Sequence, residues 1–227
     1  MRLVHTFALM TAAAAMLPAQ YDEPDKRLRA AADTLREIMA KPDRAIPSKH
    51  LNRARCIVIV PGMKKAAFIV GGEYGRGFAL CRSEWGWSAP APVRLAGGSF
   101  GLQLGADSTD IVLLVMNERG MTRLLSEKFK IGADAAIAAG PVGRDASADT
   151  DVLMNAEILG WSRTHGLFAG ASLEGTVVEH DGAETKKLYG RPLSNHEVIS
   201  GDIKPPEMAA PLVAELNEIA PEPSRSR

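Results

Sequence analysis

The chain has 227 residues, with 27 Lys plus Arg balanced by 27 Asp plus Glu, so it carries no formal net charge. That balance excludes capture of nucleic acid or of a membrane by a global field and leaves recognition to local patches. With 46% hydrophobic and only 5% aromatic residues, the length supports one sizeable core, built by close backbone packing rather than large aromatic anchors.

At the N-terminus Arg2 precedes "TFALMTAAAAMLPA", an apolar run too short for the roughly 20 residues that span a bilayer. Small residues then lead into polar "QYDEPDKR", the pattern of a signal peptide (1–19) cleaved after Ala19. An exported protein, periplasmic or associated with the cell envelope, is expected. Residues 20–220 are expected to form a single domain, and 221–227 a disordered tail.

Residues 25–41 read as a helix: Leu28, Ala31, Ala32, Leu35, Ile38 and Met39 recur at alternating spacings of three and four, and Pro42 stops the pattern. Arg29 and Arg36 flank the apolar stripe on one side, Arg27 and Lys41 on the other, with Lys26, Asp33 and Glu37 on the polar face. Such a stripe can enter a lipid interface while its flanking cations reach phosphates. The same stripe also suits a helix packed on a sheet, the commoner use of the pattern. A short helix is expected over 47–54, with Pro47 in its first turn.

From Arg55 the pattern turns to strands. "CIVIV" ends at Pro61-Gly62, and "AAFIVGG" and "GFALCR" come next at hairpin spacing. A meander of 56–60, 66–71 and 77–82 would place Cys56 and Cys81 on non-adjacent strands, beyond the Cα separation of about 4.4–6.8 Å of a disulfide. Free, buried thiols are therefore expected, although export would make a disulfide chemically feasible. Met63, Lys64 and Lys65 fall at a hairpin tip, an apolar group beside two cations, and form a second candidate for lipid contact; the alternative is an ordinary solvated turn. "SFGLQLGA", "TDIVLLVM", "FKIGADAAIAAGPV", "MNAEILGWSR" and "GLFAGASLEGTVVEH" read as strands, and "NERGMTRLLSE" as a helix capped by Asn117. The C-terminal helical periodicity is broken at Pro211. The order specifies an α+β protein: a curved, mostly antiparallel sheet or partly closed barrel of about eight strands, with N-terminal and C-terminal helices.

Chemical motifs fail on context. "VGGEYGRG" has neither the order nor the succeeding helix of a phosphate loop, so its glycines mark turns or close backbone approach. "GGSFG" matches G-x-S-x-G with Ser99 as nucleophile, but the residues C-terminal to it read as strand, not as the supporting helix of a nucleophile elbow. Asp145, Asp149 and Asp151 lack the ligand order of a calcium loop, and no Cys/His cluster offers a metal site. Neither cofactor nor metal is expected.

The segments "IPSKHLNRARCIVIVPGMKKAAFIVGGEYGRG", "WSAPAPVRLAGGSFGLQLGADSTDIVLLVMN", "KIGADAAIAAGPVGRD" and "SRTHGLFAGASLEGT" resemble, in order, the SYLF domain, a lipid-binding module of bacteria and eukaryotes. The resemblance runs from about residue 30 to 200. It implies a protein without catalytic activity. Eukaryotic members bind phosphoinositides, with an N-terminal amphipathic helix implicated, and some bind and bundle actin. By position, helix 25–41 takes the membrane role, Lys65 falls in the Lys-x-x-Phe segment ending at Phe68, and the glycines of 71–77 and 97–105 are framework. The export signal sets actin and phosphoinositides aside and leaves anionic phospholipid as the expected partner. The resulting expectation is a non-enzymatic protein that associates peripherally with anionic membranes through Lys26, Arg27, Arg29, Arg36, Lys41, Met63, Lys64 and Lys65. The alternatives are an envelope scaffold whose helix packs permanently on the sheet, and an esterase using Ser99.

Overall fold

Runs such as "CIVIV" and "IVLLVM" are apolar at every position, as strands covered on both faces must be. The computed structural model describes residues 23–43, 45–84, 86–143, 155–164, 166–171, 173–200 and 203–221, and for 65–71 and 99–107 the backbone alone. The expected signal peptide, the acidic loop with Asp145, Asp149 and Asp151, and residues 222–227 lie outside the described residues.

Two long strands, β1 (Cys56–Ser83) and β3 (Ala91–Val115), pair antiparallel from Cys56 opposite Val115 to Ala79 opposite Ala91. A strand of that length would extend ~90 Å. Yet Cys56 and Cys81 are joined by a disulfide with Cα atoms 3.9 Å apart, and the Arg82 amide donates to the Arg55 carbonyl at 2.8 Å. The two-stranded ribbon therefore bends back on itself. Register shifts between Val60 and Met63 and between Ala67 and Ile69 supply the bends, as bulges do. At the first of them Gly62 has φ 61°, and its amide donates to the Asp110 carboxylate at 2.8 Å. This corrects the expectation of a meander with free thiols. Residues 56–60 and 77–82 belong to opposite arms of one bent ribbon, and the bend brings the cysteines together.

Each arm recruits further strands. Thr109–Val115 pairs antiparallel with β6 (Ile158–Thr164), which also pairs in parallel with β5 (Ile137–Ala139) and antiparallel with β7 (Leu167–Gly170). Val93–Ala96 pairs with β8 (Val177–His180), which pairs with β4 (Lys128–Lys130), while β2 (Gly86–Trp87) closes on Arg82 and Ser83. The described residues thus form an eight-stranded, mostly antiparallel half-barrel, the expected fold class.

Alternate side chains feed two cores. Ile57, Ile59, Phe78, Leu80, Val112 and Leu114 pack with α1 (Pro24–Met39) and the C-terminal helix Ala210–Ile219. Cys56, Val58, Val60, Ile111, Leu113 and Val115 pack with Leu124 of α3 (Glu118–Leu125) and with Val198 and Ile199 of the helix Asn195–Ser200. In chain order the remaining helices are α2 (Ser48–Arg53), α4 (Gly182–Tyr189), α5 (Asn195–Ser200) and α6 (Ala210–Ile219), the last preceded by a 3-10 turn, Glu207–Ala209. The expected Asn117 cap forms, its side chain accepting from the Gly120 amide at 3.0 Å. Pro211 does not break the last helix but occupies its first turn, where its missing N–H is harmless. Arg82 ties both ends of the domain together. Its guanidinium donates to the carbonyls of Leu51, Ala54, Ala220 and Pro221 and lies 4.7 Å from the centroid of the Trp87 ring.

Two glycines of "VGGEYGRG", Gly75 and Gly77, lie where the arms meet. A Cβ on Gly77 would come 2.0 Å from the Ile59 carbonyl oxygen, and one on Gly75 2.6 Å from a Val60 methyl, whereas one on Gly98 would meet nothing within 4 Å. Gly77→Ala is therefore expected to destabilise by about 1–3 kcal/mol or more, with Gly98→Ala close to neutral, in urea denaturation. Replacing both cysteines by Ser is expected to cost about 3 kcal/mol in the same assay, since the bridge closes a 25-residue separation.

Candidate functional site

Helix α1 is amphipathic, and its apolar side is spent on the protein's own core. Leu28, Ala31, Leu35 and Ile38 are 0–3% exposed. Burying a Leu or Ile side chain is worth about 1.5–3 kcal/mol, so freeing three of them approaches the stability of a small domain. Transfer of the stripe into lipid would recover the helix's share only and leave the facing side chains of β1 and α6 wet. The stripe is therefore not a free lipid anchor.

The other side of α1 forms one wall of a cleft of about 760 Å³. Lys26, Arg29, Ala30, Asp33, Thr34 and Glu37 follow the helical repeat along this wall, and Gly62, Ser108, Asp110, Arg163 and Gly166 complete the lining. The backbone bend at Gly62, which has no side chain, keeps the opposite wall low. The floor is an ion-pair network. Arg163 donates to Asp110 through Nε at 2.8 Å and Nη2 at 2.6 Å and also pairs with Glu37, so β6, β3 and α1 are tied through one guanidinium. Asp110 in turn holds the Gly62 amide. A smaller hollow, lined by Ile38, Lys41 and Phe168, continues past Glu37, Arg163 and Gly166.

The expected lipid-contact residues divide sharply. Lys26 and Arg29 are exposed and line the cleft; Lys64 is exposed on β1, two residues beyond the cleft-lining Gly62. Lys26 and Lys64 have no ion-pair partner among the described residues, whereas Arg29 pairs with Asp25 at 3.1 Å on the surface. Arg36 is exposed but pairs with Asp33 at 2.8 Å and with Glu215 of α6 at 3.1 Å. Lys41 is exposed beside the smaller hollow. Lys65 lies on β1 opposite Asp107. Two residues are corrected. Met63 is fully buried in the second core, because the bulge turns it inward, and Arg27 is 2% exposed, paired with Glu184 of α4. Neither faces outward.

Arg27 belongs to a buried charge cluster that sequence spacing could not reveal. Glu184 accepts from both Arg27 and Arg76 (2.9 Å), and Arg76 also donates to Asp181 at 2.7 Å. Burial works against the charge on Asp181, but the Arg76 hydrogen bond and the Glu184 amide outweigh it and hold the carboxyl below its usual range. The signal that could have found α4 is local: Asp181 caps the Glu184 amide at 3.1 Å, and Gly190 (φ 71°) closes the helix in the left-handed conformation. Ser99, the other candidate, lies inside β3 opposite Gly71, so the strand-to-helix turn of a nucleophile elbow is not formed there.

The protein is thus a curled, disulfide-closed sheet with a polar cleft along its first helix. Comparison with known proteins identifies the group: residues 96–219 match the Ysc84 family, described as Las17-binding protein actin regulator. The chain belongs to this family, whose domain is the SYLF domain of the sequence resemblance. It is 34% identical over 177 residues to an SH3 domain-containing protein of Schizosaccharomyces pombe, covering 76% of this chain and 41% of that protein. LAS seventeen-binding protein 3 of Saccharomyces cerevisiae is 32% identical over 183 residues, covering 78% and 39%. SH3 domain-containing YSC84-like protein 1 of Mus musculus is 28% identical over 178 residues, covering 78% and 52%. The chain thus spans about two-fifths to one-half of the length of these relatives.

The depressed Asp181 pKa gives stability that is complete above its unfolded value of about 3.9 and is lost as pH falls through the folded value. Asp181→Asn is expected to lower stability at pH 7 by about 3 kcal/mol, because it leaves Arg76 short of a partner. Its thermal midpoint should also fall less steeply below pH ~4 than that of the parent protein.

Proposed function

We propose that this protein is a non-catalytic binding module that associates peripherally with anionic phospholipid through the exposed cations Lys26, Arg29 and Lys64, with α1 as a fixed wall and not an inserted anchor. The observation that carries this reading is that exposed Lys26 and Arg29 of α1 line a cleft whose lining includes Gly62, two residues before exposed Lys64. Membership of the family supports a binding role, since its description names a binding protein and regulator. Among the described residues no helix is long and apolar enough to cross a membrane, and attachment from the surface needs none. The Cys56–Cys81 disulfide favours an oxidising compartment and so supports export.

Vesicle co-sedimentation tests the proposal. The mature protein is expected to pellet with anionic vesicles and not with neutral vesicles of phosphatidylcholine alone, and binding should weaken as salt shortens the screening length to about 8 Å at physiological ionic strength. The triple charge reversal Lys26→Glu, Arg29→Glu, Lys64→Glu is expected to reduce binding at least about tenfold, given about 1 kcal/mol for each basic residue near an anionic surface, with an unchanged thermal midpoint. Equal pelleting with both vesicle types overturns the reading.

The buried α1 stripe favours a second reading, a scaffold whose fixed surface docks a protein partner; one yeast relative is named for binding LAS seventeen. Under that reading amide exchange along α1 is unchanged by anionic vesicles and no pelleting occurs.

A further inference from the structure

The charges along the cleft wall are sorted by sign. Lys26 and Arg29 stand at the N-terminal end of α1's polar face, Asp33 and Glu37 at the C-terminal end. At 1.5 Å per residue, Arg29 and Asp33 are separated by ~6 Å along the axis. Opposite signs therefore succeed one another across a single turn, on a wall opened by the small side chain of Ala30. Three of the four charges already have a partner: Arg29 pairs with Asp25, Asp33 with Arg36, and Glu37 with Arg163. A carboxylate nevertheless has about four acceptor sites, and the Asp33–Arg36 pair is more than half exposed, so Asp33 keeps capacity for a further donor. At the other end Lys26 has no ion-pair partner among the described residues. A purely anionic guest would meet Asp33 and Glu37 at close quarters; a purely cationic guest would meet Lys26 and Arg29. A guest bearing both signs satisfies both ends.

We infer that this cleft binds a small zwitterion in which a phosphate and a primary ammonium are joined by a two-carbon linker, the chemistry of phosphoethanolamine, with phosphate toward Lys26 and Arg29 and ammonium toward Asp33 and Glu37. The inference deepens the proposed membrane reading and rests on it for a lipid-borne source; the same chemistry is met in the free compound.

Calorimetric titration of the full chain with phosphoethanolamine, inorganic phosphate and ethanolamine tests the assignment. Saturable binding of phosphoethanolamine at least about tenfold tighter than either half is expected, and a further loss of about tenfold or more in Ala30→Leu, which fills the cleft without removing a charge and suits a helix. Lys26→Ala provides a second variant with the same expected direction. Neutral vesicles with and without phosphatidylethanolamine distinguish the sources: retention only on the former assigns a headgroup, and binding of the soluble compound alone assigns a free ligand. Phosphate binding as tightly as phosphoethanolamine overturns the inference, as does binding that both variants leave unchanged. Failure to bind phosphoethanolamine, while anionic vesicles still pellet the protein, overturns the zwitterion site and leaves the surface reading standing.

Discussion

The architecture depends on one approach of backbone to backbone. The β1/β3 ribbon folds back until Gly77 lies against the Ile59 carbonyl, a distance that admits no Cβ, and the disulfide between Cys56 and Cys81 closes the same junction. Every other strand is placed by this bend. β6 extends the first arm, β8 the second, and both faces of the resulting half-barrel must then be covered. Period-two alternation along each arm distributes side chains to two separate cores, so helices are needed on both sides.

Helix α1 shows how that demand decides function. A sheet face lined by Ile57, Ile59 and Phe78 requires an apolar lid, and the stripe of α1 provides it. Once the stripe is committed, Arg27, on its border, is drawn inside and must meet Glu184, because an unpaired buried charge would be costly. The α1 cations left outside are those one step further round the helix, and Lys26 and Arg29 among them line a cleft.

Local chemistry was legible in the sequence. The α1 periodicity and Pro42, the unbroken apolar strands, the Asn117 cap and the α+β class all rest on neighbours within a few residues, where spacing is informative. The glycine cluster could be assigned to close approach because no helix comes directly after it. Non-local pairings were not legible: Cys56 with Cys81 depends on the ribbon's bend, and Arg27 with Glu184 joins residues 157 positions apart. Met63 illustrates a third case. It looked like a turn-tip residue because Pro61-Gly62 suggests a turn, but here those residues form a bulge within a strand, which redirects the next side chain into the core. Helices α4 and α5 left readable marks in Asp181-x-x-Glu184 and Ser194-x-x-Glu197; in the second motif the Glu197 carboxylate accepts from the Ser194 amide at 2.8 Å and the Ser194 hydroxyl from the Glu197 amide at 3.2 Å. Helices of six to eight residues are obscured when apolar periodicity alone is traced.

The Arg82 clamp holds the chain just beyond its last helix. Two of its four acceptors, Ala220 and Pro221, come after the last helical residue and after the final residue of the family match at 219. Trp87 donates its indole N–H to the Ala220 carbonyl as well, at 3.2 Å. The held chain therefore extends past the helix terminus to Pro221. Chain leaving this point does so from a fixed anchor, its heading set by the scaffold and not by a loose tether.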